Sequence, residues 1–183
     1  MPKMAIAAAL AAALVLAPVR AAQEKEQIVD VRCALSRSAV GPGETFKAAV
    51  ILKVRAGYHI NDNAPLDEFM FPTSLVPEDS PDFEVIEVYY PDGRRARYSY
   101  SETELVIYDG EVVLGLLIKA RGDLAEGART LKAVLSYQAC NDTSCLPPKE
   151  LAFEIPVAVA KTGGGADLHP EIFAKIPFKS LKK

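Results

Sequence analysis

Apolar and polar residues alternate with a period of two through much of the chain. Val29, Val31, Cys33 and Leu35 fall on one side of a segment whose other side carries Asp30 and Arg32. Phe46, Ala48, Val50, Leu52 and Val54 alternate with Lys47 and Lys53 in the same way. Leu131, Ala133, Leu135 and Tyr137 repeat the pattern, as do Leu151, Phe153, Ile155 and Val157. A period of two sends successive side chains to opposite faces, so these segments read as half-buried strands. Further strands are expected over 83–90, 105–108 and 111–120. Turns are marked by Gly41-Pro42-Gly43-Glu44, Pro91-Asp92-Gly93 and Asp109-Gly110, the last a hairpin signal. Gly115, inside a strand, suggests a bulge or a close approach by another segment.

The stretches between these strands are less regular. Residues 57–75, GYHINDNAPLDEFMFPTSL, have poor periodicity and read as a long connection with a strand near its end. His59 lies in it. With no second ligand at a recognisable spacing, a hydrogen-bonded loop histidine is preferred to a metal ligand or a base. Residues 94–102, RRARYSYSE, form a basic loop presenting Tyr98 and Tyr100. No long helix is expected in the body of the chain. The fold class is therefore all-β, an immunoglobulin-like antiparallel β-sandwich. The absence of tryptophan removes the Cys…Trp…Cys pattern of antibody-type domains. After Val159, Gly163-Gly164-Gly165 marks a flexible linker. Ile172, Phe173 and Ile176 then recur at helical spacing up to Pro177, as a short docking helix or a mobile end.

The N-terminal residues change the picture of where the protein works. Lys3, the apolar run 5–16 and Val19-Arg20-Ala21 have the make-up of a secretory signal peptide cleaved after Ala21. The expected organisation is a signal peptide over 1–21, a sandwich over 22–160 and a Gly-linked tail over 161–183. The mature protein is expected to be exported and soluble, since the longest later apolar run, 112–118, has only the length of a strand. The formal charge is −3, becoming −5 when Lys3 and Arg20 are removed with the signal. This balance gives no reason to expect nucleic acid. Two histidines and three cysteines show no zinc or haem spacing, so no metal or other cofactor is expected.

Cys140 and Cys145 bracket Asn141, Asp142, Thr143 and Ser144, all turn formers, between two strands. Residues flanking a short hairpin loop face each other at about 4.5–5.5 Å, within the ~4.4–6.8 Å that a disulfide needs. Closing so short a loop stabilises a chain by only about 2 kcal/mol, and an exposed loop is where an incoming thiolate reaches a sulfur. A structural bond and a redox-active one both remain open on these grounds. Pro147 and Pro148 stiffen the exit and remove two backbone donors, leaving an edge free for a partner. Cys33, on an apolar face, reads as a buried, inert thiol.

The run YQACNDTSCLPP, with GYHINDNAP and FPTSL upstream, resembles the N-terminal periplasmic domain of the thiol:disulfide interchange family DsbD, from about Gln27 to Val159. The resemblance implies an immunoglobulin-like fold whose paired cysteines carry electrons. A membrane-embedded domain reduces the pair, which then reduces periplasmic thioredoxin-fold proteins such as disulfide isomerases and those of cytochrome c biogenesis. By position, Cys140 and Cys145 match the redox pair. Cys145 matches the cysteine that forms the mixed disulfide, and Cys140 the one that resolves it. The family shields the pair with a cap loop bearing an aromatic residue, a role that falls here to Tyr98 or Tyr100. Asp67-Glu68-Phe69 looks like a cap motif but lies too early in the chain. With no membrane span and no C-x-x-C in this sequence, the expected electron donor is a separate membrane reductant. With no His or Lys inside the motif, activation of a thiol is expected to come largely from the docked partner. The resulting expectation is a periplasmic electron-transfer module working by thiol–disulfide exchange, rather than an enzyme with small-molecule turnover. The competing class is a secreted, non-catalytic binding module with a structural Cys140–Cys145 bond. A metal chaperone ranks third, given the poor supply of ligands.

Overall fold

A computed structural model describes residues 27–181; the expected signal peptide lies outside them. Among the described residues, eleven strands carry the fold. The first sheet has the order β1-β2-β8-β5, formed by Val29–Leu35, Thr45–Val54, Glu111–Ala120 and Phe83–Tyr89. Against it lie a three-stranded sheet, β11-β9-β4 (Lys149–Val159, Gly127–Tyr137, Ser74–Pro77), and a smaller one, β10-β3-β7-β6 (Ala139–Cys140, His59–Asn61, Leu105–Tyr108, Arg94–Ala96). All these strand pairs are antiparallel. The core between the layers takes the faces the alternation marks as apolar: Phe46, Val50 and Leu52 of β2, Leu114 and Leu116 of β8, and Leu131, Leu135 and Ile155 of the β9–β11 hairpin.

Three expectations change. Asp109-Gly110 is not a hairpin turn. Gly110 has the left-handed φ of 64° expected of it, but β7 and β8 belong to different sheets. The pair makes a corner, and the Gly110 carbonyl accepts the Val54 N–H at 2.8 Å. The irregular 57–75 stretch begins with strand β3, which pairs with both β10 and β7. The glycine run at 163–165 does not hang loose. A Cβ on Gly165 would stand 2.3 Å from the Ala39 nitrogen, and the Gly164 N–H donates to Glu44 at 3.2 Å.

The tail beyond this run lies on the outer face of the first sheet. Phe173, Ile176 and Phe178 bury themselves on Ala49, Ile51 and Leu117, with Ile172 at the edge. A single helical turn, α1 (Pro170–Phe173), starts the descent. Glu87 of β5 ends it, accepting the N–H groups of Lys179 and Ser180 at 2.9 and 2.8 Å. The close approach expected at Gly115 is made here: a Cβ would stand 2.6 Å from Ile176 Cγ2 and 2.9 Å from Phe178 Cζ.

Candidate functional site: a disulfide beneath an aromatic loop

Strand β9 ends at Tyr137, opposite Lys149. One residue later the chain enters β10 and changes partner, pairing Ala139 with Ile60 and Cys140 with His59. The connection from β9 to β11 is therefore residues 138–148, longer than the four-residue hairpin loop expected. Within it Cys140 and Cys145 form a disulfide, S–S 2.04 Å, with Cα atoms 3.9 Å apart. The Asn141 N–H donates to Ser144 O at 2.9 Å and the Leu146 N–H to Ala139 O at 2.8 Å. These bonds flank the cysteines and make them a non-hydrogen-bonded antiparallel pair, the narrow kind. Inside the turn, Asn141 Oδ1 accepts the N–H groups of Thr143 and Ser144 at 3.0 and 2.9 Å, which holds the loop shut independently of the sulfurs.

The register decides the environment of each sulfur. Along β9 and β10, Leu131, Ala133, Leu135, Tyr137 and Ala139 point into the core. Cys140 is out of phase with them and faces away from it. It is nevertheless fully buried, at 0% exposure, whereas Cys145 is partly exposed. The same holds across the pair: Ile60 belongs to the core, while His59 and Asn61 face outward and are buried at 2% and 1%. Loop structure closes on this outer face: residues 97–104, between β6 and β7, on His59, and residues 71–73 on Asn61, whose amide donates to Phe71 O at 2.9 Å.

That loop bears both tyrosines, and both close on His59. Tyr98 stacks on the imidazole with ring centroids 4.0 Å apart and planes 14° from parallel. Tyr100 Oη lies 2.7 Å from His59 Nε2, and the two tyrosine rings stack at 5.6 Å. Ser99, between them, donates its hydroxyl to Asp142 O of the cysteine loop at 2.9 Å. The base of the loop is held by Arg94, which chelates Asp109 through Nε and Nη2, and by Arg95 on Glu104 at 2.9 Å. Burial, with a contribution from the Arg94 charge, pushes the His59 pKa down; Asp109 and Asp142 pull the other way. Burial, helped by Tyr98 and Asp142, pushes Tyr100 up to about 12. The His59–Tyr100 contact is thus a neutral hydrogen bond at neutral pH.

The sequence left the cap role to Tyr98 or Tyr100 without choosing between them; the structure brings both to the same partner. His59 was read as a loop residue and is instead a strand residue facing Cys140. No motif announces this, because pairing register is not written in periodicity. Phe69 of Asp67-Glu68-Phe69 is 88% exposed and covers nothing. Cys33 is far along the chain on β1, free and partly buried, and burial lifts its pKa to about 11. An apolar groove of about 310 Å³ is lined by Ile28, Tyr137, Ala139, Leu146, Pro147 and Pro148, with Lys149 at its end; it lies on the Ala139 side of the cysteine loop, and neither cysteine lines it. Among the described residues there is no cluster of three or more His, Cys, Asp or Glu able to hold a metal. No helix there is long and apolar enough to cross a membrane. The chemistry on offer is that of the two sulfurs.

Residues 25–156 match the family described as thiol:disulfide interchange protein DsbD, N-terminal. Comparison with curated proteins finds no match. Among solved structures, the N-terminal periplasmic domain of ScsB from Proteus mirabilis shares the fold, with TM-score 0.51 at 15% identity, over 85% of this chain and 57% of that one. This chain thus spans little more than half of that structure. The reduced DsbD N-terminal domain of Neisseria meningitidis aligns more loosely, with TM-score 0.37 at 16% identity, over 76% of this chain and 89% of that one.

Proposed function

The chain belongs to the family of DsbD N-terminal domains, and from that premise we propose that it is a periplasmic thiol–disulfide exchange module acting through Cys140 and Cys145. One observation carries the reading: the two sulfurs form a bond of unequal access, Cys145 partly exposed and Cys140 fully buried opposite His59, the ring on which the aromatic loop closes. In the reduced module, the Cys145 thiolate attacks a partner disulfide, one partner sulfur leaving as thiolate. Cys140, deprotonated in turn, attacks Cys145 Sγ of the mixed disulfide and expels the second partner sulfur. Two electrons and two protons pass to the partner, and the Cys140–Cys145 bond is restored. The acceptors proposed are periplasmic thioredoxin-fold proteins of the disulfide-isomerase or cytochrome c maturation kind. The donor proposed is a separate membrane-embedded thiol reductant, and residues 1–21 serve as the export signal. No cofactor enters the exchange.

The test is asymmetric trapping. Cys140→Ala retains the attacking thiol and lacks the resolving one, so it is expected to accumulate mixed disulfides with thioredoxin-fold proteins in exporting cells. Cys145→Ala traps far less. Equal trapping overturns the roles assigned to the two cysteines. No trapping by either, with the wild-type pair always oxidised, supports the second reading, a structural bond in a binding domain, which the complete burial of Cys140 favours.

A further inference from the structure

We propose that His59 is a positioning residue for the exchange: as a neutral imidazole it latches Tyr98 and Tyr100 over the sulfur of Cys140, and on protonation it releases them. The inference rests on the redox reading of the cysteine pair and adds to it what governs access. Directly opposed residues of an antiparallel pair send their side chains to the same face. His59 and Cys140 are such a pair, so whatever closes over the imidazole also closes over the side chain of Cys140. Both contacts of the loop's aromatic residues with β3 are made to this one ring: the face of Tyr98 at 4.0 Å and the hydroxyl of Tyr100 at 2.7 Å. The loop has one further tie to the cysteine loop, Ser99 to Asp142 O.

The charged and titratable groups around the ring come from four elements. Arg94 on β6 opposes a charge on it; Asp109, at the corner after β7, and Asp142, in the cysteine loop, favour one; Tyr98 and Tyr100 of the loop itself face the ring, and burial keeps Tyr100 neutral. Asp62 stands beyond the end of β3. Arg94 and Asp109 are paired with each other and largely offset. Burial is the leading influence and disfavours the imidazolium. When the loop swings away, the ring meets water and regains an ordinary imidazole pKa, near 6.5. The open form therefore binds a proton more readily than the closed one. Closure is strongest above about pH 6.5 and is lost as the pH falls through and below that value.

The experiment follows reduction of the oxidised full chain by a water-soluble phosphine between pH 5 and 8, reading the thiols of Cys140 and Cys145 by alkylation and mass spectrometry. The phosphine attacks sulfur, the S–S bond breaks, water supplies oxygen to phosphorus, and two thiols result. The proteins are wild type, His59→Gln, which cannot titrate in this range, and Tyr100→Phe, which keeps the ring and loses the hydroxyl. Dividing wild-type by His59→Gln rates at each pH cancels the phosphine's own protonation. At pH 8 both variants are expected to react about fivefold faster than wild type, the effect of one hydrogen bond. The wild-type rate relative to His59→Gln is expected to climb severalfold as the pH falls through the imidazole range. The His59 ring-proton shifts of the wild type, followed by NMR, are expected to titrate in step, a readout that needs no variant to fold. A flat ratio overturns the latch, as does wild type reacting as fast as both variants at pH 8. A ratio that falls in acid also overturns it, since that is the result if the tyrosine faces held the imidazolium by cation–π attraction. The phosphine reaches the sulfurs whether or not a protein partner exists, so failure here is separate from failure of the trapping experiment.

Discussion

His59 and Cys140 stand opposite each other across the β3–β10 pair and are both shut off from water, at 2% and 0% exposure, although neither belongs to the sandwich core. A polar face buried by loops, with a disulfide under it, is the arrangement from which the first expectation comes. Tyr98→Ala and Tyr100→Ala each speed phosphine attack on the disulfide, and the double variant speeds it more. The thermal midpoint changes little, because the loop buries almost none of the main core. Ser99→Ala, which loses only the bond to Asp142 O, gives a smaller gain of a few-fold, the scale of about 1 kcal/mol. Unchanged rates in all four proteins remove the cap.

A redox titration of the purified chain separates exchange from stapling. Peptide mapping with and without mild reductant is expected to show Cys140 joined to Cys145 and Cys33 free. The pair is expected to equilibrate with thiol buffers at a potential above about −300 mV, the region below which structural disulfides lie. A lower value favours the binding module.

Cys33 is expected to resist alkylation in the native protein. With its pKa raised to about 11 by burial, only about one thiol in a thousand is ionised at pH 8, roughly a hundredfold below a free cysteine. A matching pH dependence follows. The unfolded chain loses this proton near the ordinary cysteine value and the folded one near 11. Unfolding is then accompanied by proton release in between, and stability falls from about pH 9 to pH 11 by up to about 3 kcal/mol. Cys33→Ala, or Cys33→Ser where it folds, flattens that segment of the stability curve. An equally steep fall in the variant assigns it to other groups.

The tail is expected to open apart from the sandwich. Phe178→Ala removes a ring buried at 2%, and a full cavity of that kind costs about 3 kcal/mol. Because the tail can detach instead, hydrogen exchange over 170–181 is expected to rise steeply while β2 and β8 stay protected. Gly115→Val, which drives side-chain atoms into Ile176 and Phe178, is expected to give the same pattern. Loss of protection throughout the first sheet would show that the tail is integral to the core.

Much of the sandwich was legible in the sequence, because a strand with one wet face and one dry face writes its period plainly: β2 and β8 emerge close to their expected limits, and β9 and β11 contain the expected segments and run beyond them. The period says which side chains share a face and is silent on which sheet a strand joins. That is why Asp109-Gly110 read as a hairpin turn and proved to be a corner between sheets. It also fails where both faces are dry. His59, Ile60 and Asn61 are all buried, Ile60 by the core and its neighbours by loops, so no alternation survives and the segment read as a connection. The cysteine pair was found through its spacing and its resemblance to a family; the histidine facing it depends on strand pairing over a separation of about eighty residues.

The corner at Asp109-Gly110 bears on how the sulfurs are reached. Asp109 is chelated by Arg94 at the foot of the cap, and Ala96 is paired with Leu105 at its neck, so both posts of the loop are fixed to strands and to the turn that feeds β8. The free span between them, 97–104, is eight residues, with a contour length of about 27 Å. That slack lets the tyrosines swing clear without parting any strand pair of the sandwich. If the loop gates access as proposed, it does so at the pace of loop motion, nanoseconds to microseconds, far faster than unfolding. Under the exchange proposed above, the loop has time to open and close many times during one partner encounter at Cys145 while the strand pairs stay intact.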